Sequence, residues 1–388
     1  MYHLIFVILL LFSFFEFFGK NNKSVAKSMF VLLALLVTLR YGQGTDYFSY
    51  IYLFNHSANI FETALLNKDF SIVTQEISFA ALSYIWLKVL HFTPEILSSI
   101  LSFISFLLVW LFIKKYSLKP ITSLLFFYCT FFLIYPFSAI RQSICISIFV
   151  FYLIPLVHNK KYLKYYLIST FLFTFHYSSI ILFVIPIVNL IKNYKISQVY
   201  VMSGVAFFIG LLFYQFLFPF FSTIDIIAGK ISGYTREVTL DITSLILRII
   251  MFIPILHIST SKKNGRNSIR DLFIKIYILG FILYLLFMAS SLISSRINVY
   301  MRYIEMILLV DFLVYFFFKK WNRILSYSFI LAIMTVLYIK NINSFIDQGP
   351  YYSDVNFINY PYVSVFDKKK IIETRNIPSY YQQYVIYD

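Results

Sequence analysis

The chain has 388 residues, 60% of them hydrophobic, 21% aromatic and 13% charged, with a mean hydropathy of +0.78 and a formal net charge of +16. That composition excludes a water-soluble globular domain. Apolar runs recur at the length of about 17 to 25 residues that a helix needs to cross a bilayer, so the predicted fold is an all-α, polytopic transmembrane helical bundle. In chain order, spans are predicted at 3–19, 24–40, 96–113, 120–136, 141–157, 199–221, 244–260, 271–294, 302–318 and 324–341. The first has no basic stretch before it and no small-residue cleavage site after it, and so reads as a retained span.

Two further apolar segments, 75–91 and 164–190, admit two readings. As ordinary spans they raise the total from ten to twelve. As re-entrant helices they leave six basic clusters on one face, as the positive-inside bias favours: Lys20 to Lys27, Lys114 to Lys119, Lys160 to Lys164, Lys192 and Lys195, Lys262 to Arg270, and Lys319 to Arg323. In the re-entrant reading, 164–190 dips in and returns as two short helices meeting near "FHYSS", where protein or a water-filled cavity must solvate the irregular backbone. The clusters also explain the net charge: short basic loops between apolar runs face membrane lipids, not nucleic acid. Residues 1–341 then form one transmembrane domain with outward loops 41–74 and 222–243. A polar, Tyr-rich tail follows over 342–388.

Four places carry polar groups at span ends or inside spans, where charge is costly and marks a polar cavity, and Arg40, Arg141, Arg296 and Arg302 all map to the predicted outer boundary. In "LRYGQGTDYFSYIYLF", Arg40 closes a span, Gly42 and Gly44 allow a tight turn, Asp46 follows, and Tyr47 and Tyr50 are three apart. In "SAIRQSICISI", Arg141 and Gln142 open a span, and in "FHYSS", His176 sits among aromatics. In "SSRINVYMRYIEM", Arg296 and Tyr300 lie four apart, and Arg302 and Glu305 three apart. Plainer readings exist for each: an aromatic belt with a capping aspartate, a snorkelling arginine, a structurally hydrogen-bonded histidine, and an anchor. Arginines gathered outside nevertheless suit an anion, since guanidinium binds phosphate bidentately. Tyrosine rings suit sugars. His56, His91, His158, His176 and His257 show no metal-ligand spacing, Cys129 and Cys145 lie inside apolar segments, and no P-loop or nucleophile elbow occurs, so no metal or cofactor is expected.

These pieces resemble a family. The opening motif is similar to the R-x-x-x-G-T-D-Y-x-x-Y-x-x-x-F signature of EpsG-type proteins, which belong with the Wzy polysaccharide polymerases. "IRQSICISIF", "FHYSSIIL" and "RINVYMRY" resemble its later segments in the same order. The resemblance implies a membrane glycosyltransferase of the cytoplasmic (inner) membrane. It would polymerise undecaprenyl-pyrophosphate-linked repeat units of an exopolysaccharide, capsule or O-antigen on the outer face, alongside a chain-length regulator. Asp46, His176, Arg141 and Arg296 would then be catalytic, with Asp46 or His176 as base, and Arg40, Tyr47, Tyr50, Gln142, Tyr300 and Arg302 substrate-binding. Glu76 and Asp311 are further acid–base candidates. The rival functions are a flippase for the same lipid-linked glycan, expected to show a midplane cavity and internal repeats, and a membrane O-acyltransferase with His176 as base.

Overall fold

A computed structural model describes residues 1–19, 22–191, 194–212, 242–261, 268–288, 290–314, 323–347 and 356–374. The helices in chain order are α1 (Tyr2–Phe18), α2 (Lys23–Thr38), α3 (Tyr47–Asn67), α4 (Ile77–Val89), α5 (Pro94–Tyr116), α6 (Pro120–Phe132), α7 (Ile140–His158) and α8 (Tyr162–Phe175). A 3₁₀ helix, Tyr177–Leu190, comes next. It is followed by α9 (Ile196–Leu212), α10 (Ile242–Ser261), α11 (Ile269–Phe287), α12 (Ser291–Arg302), α13 (Glu305–Phe312), α14 (Arg323–Asp347) and α15 (Lys370–Thr374). The all-α class is as predicted. Among the described residues, three helices are long and apolar enough to cross a bilayer: Pro94–Tyr116, Ile140–His158 and Tyr327–Ile346.

Local chemistry sets several of these ends. The Asn22 side chain accepts from the Ser24 and Val25 amides at the start of α2, and Pro94 and Pro120 occupy first-turn positions where their missing N–H costs nothing. Ser268 and Ser290 cap α11 and α12. The α4, α6 and α7 helices each contain a π turn, at 85–89, 128–132 and 149–153.

The chain divides into two compact units. The first comprises Met1–Phe151, Thr170–Tyr177 and Phe317–Asp388. In it α1 packs on α6, α2 on α5, α5 on α7 and α3 on α4. Buried Ser98, Ser102 and Ser105 recur along one stripe of α5, where small residues allow close helix approach, and the Ser105 hydroxyl meets that of Ser143 on α7 at 2.9 Å. Glu16, 3% exposed, ends α1 by accepting the Ile121 and Thr122 amides at 3.0 and 2.8 Å, an anion on the N-terminus of α6. α14 lies along α1 and the π turn of α6: Tyr338 stacks on Phe6 at 4.3 Å, and the Asn341 amide donates to the Cys129 carbonyl at 2.7 Å.

Two departures from expectation fall in this unit. Residues 47–67, predicted as part of an outward loop, form the 21-residue helix α3, closed by Lys68 in the left-handed conformation (φ 53°). The run escapes a hydropathy reading because Asn55, His56, Asn59 and Glu62 interrupt it, while Phe48, Ile51, Phe54 and Ala58 are buried on its other face. The tail, predicted to start at 342, begins six residues or more later, since α14 runs to Asp347. Its described part, 356–374, docks on the opening motif: the Tyr41 amide donates to the Val363 carbonyl at 2.9 Å and the Val365 amide to the Leu39 carbonyl at 2.8 Å, so that Arg40 and Ser364 form an antiparallel bridge. Val363 and Ile371 complete a buried cluster with Tyr41, Tyr47, Phe48 and Ile51.

The second unit comprises Tyr152–Ser169 and Ser178–Phe316. Here α9, α10 and α12 pack on α11, and α10 also packs on α13. The arms 162–169 and 178–190 run antiparallel: the Tyr165 hydroxyl donates to the Leu182 carbonyl at 2.6 Å, and the Asn189 amide donates to the Tyr162 hydroxyl at 3.0 Å. The expected break at "FHYSS" is therefore present, with the second arm wound as 3₁₀ helix. The predicted span 271–294 is shorter as a helix, and 302–318 starts later, its last four residues lying outside the described ones. α11 ends at Phe287, α12 occupies 291–302, and α13 starts at Glu305. The predicted outward loop 222–243 lies outside the described residues except for its last two positions, and so does the end of the predicted span 199–221.

Candidate functional site

The opening motif is a turn between α2 and α3. Gly42 (φ +68°) and Gly44 (φ +111°) hold backbone conformations that side chains disfavour, and a Cβ at Gly44 would strike the Phe137 carbonyl oxygen. The Thr45 amide donates to Ser138 Oγ at 3.1 Å, which fixes the entry to α3. Asp46 holds the N-cap position without capping an amide through its side chain. Its half-buried carboxylate accepts from Thr45 Oγ1 at 3.3 Å.

Arg40, expected on an open face, is 1% exposed. Its guanidinium donates to the Val37 carbonyl and, at 3.1 Å, to Ser102 Oγ on α5, and sits 4.9 Å from the Phe137 ring and 5.9 Å from that of Tyr47. The physical reason is the docked tail. Residues 363–365 pair with the backbone on both sides of Arg40, and Gln43, bonded to Tyr2 and to the Pro361 carbonyl, closes the same edge. In this conformation Arg40 ties α2 to α5 and cannot meet a ligand.

The polar centre of the first unit lies one helical turn further on. Arg141 Nη1 contacts Glu76 Oε2 at 2.6 Å, His176 Nδ1 lies 3.4 Å from Glu76 Oε1, and the Tyr177 amide donates to the same oxygen at 3.4 Å. The Arg141 guanidinium also stands 5.6 Å from the Tyr50 ring and 4.8 Å from the Phe79 ring, within cation–π range. Side-chain exposures of 16% for Arg141, 14% for His176 and 7% for Glu76 leave this cluster partly open, unlike Arg40. Ser78 Oγ meets Thr174 Oγ1 at 2.7 Å and Phe79 packs edge-on to Phe175, which holds residues 170–177 against the first turn of α4. Burial alone would raise the Glu76 carboxyl. The nearby His176 imidazole and the Arg141 charge outweigh it and hold the group down at about 2. Glu76 is thus a fixed anion that neutralises Arg141 and orients His176.

Three of the four sequence pieces therefore meet here: Arg141 and His176 on Glu76, a residue outside all of them, and Tyr50 on Arg141. The available sign was a lone acid heading an apolar run, "TQEISFAALSY". Gln142 is 5% exposed beside the cluster on α7.

The fourth piece lies in the second unit. The Tyr300 hydroxyl, fully buried, meets Ser178 Oγ at 3.1 Å and Ser179 Oγ at 3.0 Å, joining "RINVY" to "HYSS". Arg296 is half-buried one turn earlier on α12. Arg302 pairs with Glu305 at 3.4 Å, as its spacing predicts, and Glu305 also accepts from the Tyr277 hydroxyl at 3.0 Å. Arg248 of α10, which the sequence reading did not single out, stands 4.8 Å from the Tyr284 ring. With the Asn298 amide turned, its oxygen accepts from Arg248 Nη1 at 3.0 Å. Asp311 pairs with Arg270 at 2.6 Å, which removes it as a free base. Among the described residues no group of three His, Cys, Asp or Glu side chains could hold a metal ion.

A model of the EpsG family matches residues 24–364, a stretch that contains Arg40, Asp46, Tyr50, Glu76, Arg141, His176, Arg296 and Tyr300. The chain belongs to the EpsG family. Membership marks it as a membrane protein of polysaccharide-polymerase type, in keeping with its long apolar helices. No curated protein and no solved structure matches the chain. Within this EpsG-family protein, the matched region runs from the first turn of α2 to Ser364, whose bridge to Arg40 closes the motif.

Proposed function

We propose that this protein is a glycosyltransferase of the cytoplasmic membrane that polymerises undecaprenyl-pyrophosphate-linked oligosaccharide repeat units on the outer face. The observation that carries the reading is the meeting of Arg141 with Glu76, His176 with Glu76 and Tyr50 with Arg141, since it gathers three separate stretches of the family region at one partly open polar point. A hydroxyl oxygen of the acceptor unit attacks the anomeric carbon of the growing chain. The bond from that carbon to the pyrophosphate oxygen breaks, the lipid pyrophosphate leaves with the electron pair, and the hydroxyl proton passes to a base.

Arg141 is the cation for the leaving diphosphate, where charge grows in the transition state and fixed donors act most strongly, and Arg296 keeps the catalytic role that its motif implies. Asp46 is the base: its carboxylate forms no ion pair among the described residues, whereas Glu76 is already committed to Arg141. Pyrophosphate is a good leaving group without a proton, so no second carboxylic acid is required. Tyr50 supplies a ring face beside Arg141 for the sugar, Tyr300 is a buried strut held by Ser178 and Ser179, and Arg40 keeps the glycine turn in place.

The test is reconstitution of the full chain in liposomes with its lipid-linked repeat unit, following polymer length. Arg141→Ala, Arg296→Ala and Asp46→Asn should each leave folded protein that no longer extends the chain. Normal polymer from all three would refute the assignment. Lipid-linked glycan that crosses the bilayer without growing would instead identify a flippase.

A further inference from the structure

Away from that cluster, the first unit contains a groove of about 700 Å³ between α2 and the C-terminal half of α5. Lys23 and Lys27 from α2 and Lys114 from the last turn of α5 line its mouth. All three are exposed and none forms an ion pair among the described residues. The one acid on the wall, Glu16, already holds the amides of α6, and Lys119 reaches the Glu16 and Gly19 carbonyls at 2.6 and 3.3 Å. The mouth is therefore strongly cationic.

The floor is aromatic. Phe30 stacks on Phe106 and on Trp110, each at 5.3 Å, with interplanar angles of 25° and 16°. Lys23, Lys27 and Phe30 follow i, i+4, i+7 spacing, and Phe106, Trp110 and Lys114 follow i, i+4, i+8, so each helix sets its cations above its rings on one stripe. Cations at one end of an apolar slot match an amphiphile with an anionic head and a hydrocarbon tail. Both lysine clusters belong to the set that the positive-inside bias assigns to the cytoplasmic leaflet, where anionic lipids are found.

We propose that this groove binds an anionic phospholipid of that leaflet, its phosphate among Lys23, Lys27 and Lys114 and one acyl chain along Phe30 and Trp110. The charge pattern selects the occupant, because a zwitterionic phospholipid has the same chains and phosphate but brings its own cation to three lysines. This site is independent of the polymerase reading.

Trp110 is a built-in reporter. With the other two tryptophans replaced (Trp86→Phe, Trp321→Phe), the full chain in detergent is titrated with phospholipids bearing brominated acyl chains, which quench indole fluorescence on contact. Phosphatidylglycerol should quench at concentrations at least about tenfold below phosphatidylcholine. Each lysine neutralised should weaken it on the order of fivefold, so Lys23→Gln, Lys27→Gln and Lys114→Gln together should bring the two lipids level. Equal quenching in the parent chain would overturn the site, as would a phosphatidylglycerol preference that survives in the folded triple variant. Native mass spectrometry of protein with its tryptophans intact gives an independent readout: the triple-lysine variant should retain one fewer phosphatidylglycerol, and unchanged retention counts against the proposal.

Discussion

The Arg141 guanidinium and the Glu76 carboxylate meet at 2.6 Å across 65 residues of chain, and His176 approaches the other oxygen of the same carboxylate. An acid that is already paired on both sides orders a site and neutralises a cation; it does not itself move protons.

Glu76→Gln should therefore leave Arg141 charged but unopposed. Breaking such a pair costs several kcal/mol when fully buried, and about 1–3 kcal/mol is expected here because both partners reach solvent. Thermal melts in detergent measure that loss. Arg141→Lys keeps the charge but not the planar fork, and in the polymerisation assay it should recover only a small part of the about 10²- to 10³-fold deficit expected of Arg141→Ala.

The pH dependence of the pair has a definite sign. Glu76 lies outside the three helices able to span, and its carboxyl is lowered from 4.5 to about 2, so its stabilising contribution is complete above pH 4.5 and is lost as pH falls through 2. The melting-temperature gap between the parent chain and Glu76→Gln should stay level from near-neutral pH down to 4.5 and narrow only below it. A gap that closes around neutral pH would show that Glu76 is not held down.

The two motif glycines should respond differently to alanine. At Gly44 the new methyl meets the backbone carbonyl of Phe137, which cannot step aside, and φ is +111°, so a loss of about 2–4 kcal/mol is expected. At Gly42 the obstacle is the Ile371 side chain. Ile371→Ala should relieve part of the Gly42→Ala penalty in a double-mutant cycle and none of the Gly44→Ala penalty.

Tyr300→Phe removes a fully buried hydroxyl that meets two serines, and should cost about 1–2 kcal/mol. Ser178→Ala combined with Ser179→Ala leaves the Tyr300 hydroxyl without those partners and should cost more than the phenylalanine. The comparison can be read from melts of the three purified variants.

How much of this was legible in the sequence follows from the range of each interaction. The glycine turn, the break at His176 and the Arg302–Glu305 pair are encoded within a few residues, and all three are found where spacing placed them. α3 was hidden because its polar residues lower the hydropathy of a helix that packs against protein. Glu76 was visible only as an acid–base candidate; its pairing was hidden because its partners come from residues 141 and 176, and no short motif reports that distance. The burial of Arg40 is set by chain more than 300 residues later, which composition alone describes as a polar tail.

That last pairing also constrains how the molecule can be made. Residues 39 and 41 obtain their backbone partners only from 363 and 365, so the ribosome must deliver nearly the whole described chain before the signature turn can settle. Until then α1 and α2 can insert, but the edge beside Arg40 stays open to water. A nascent chain halted before residue 356 would have the motif in its sequence and not in its structure.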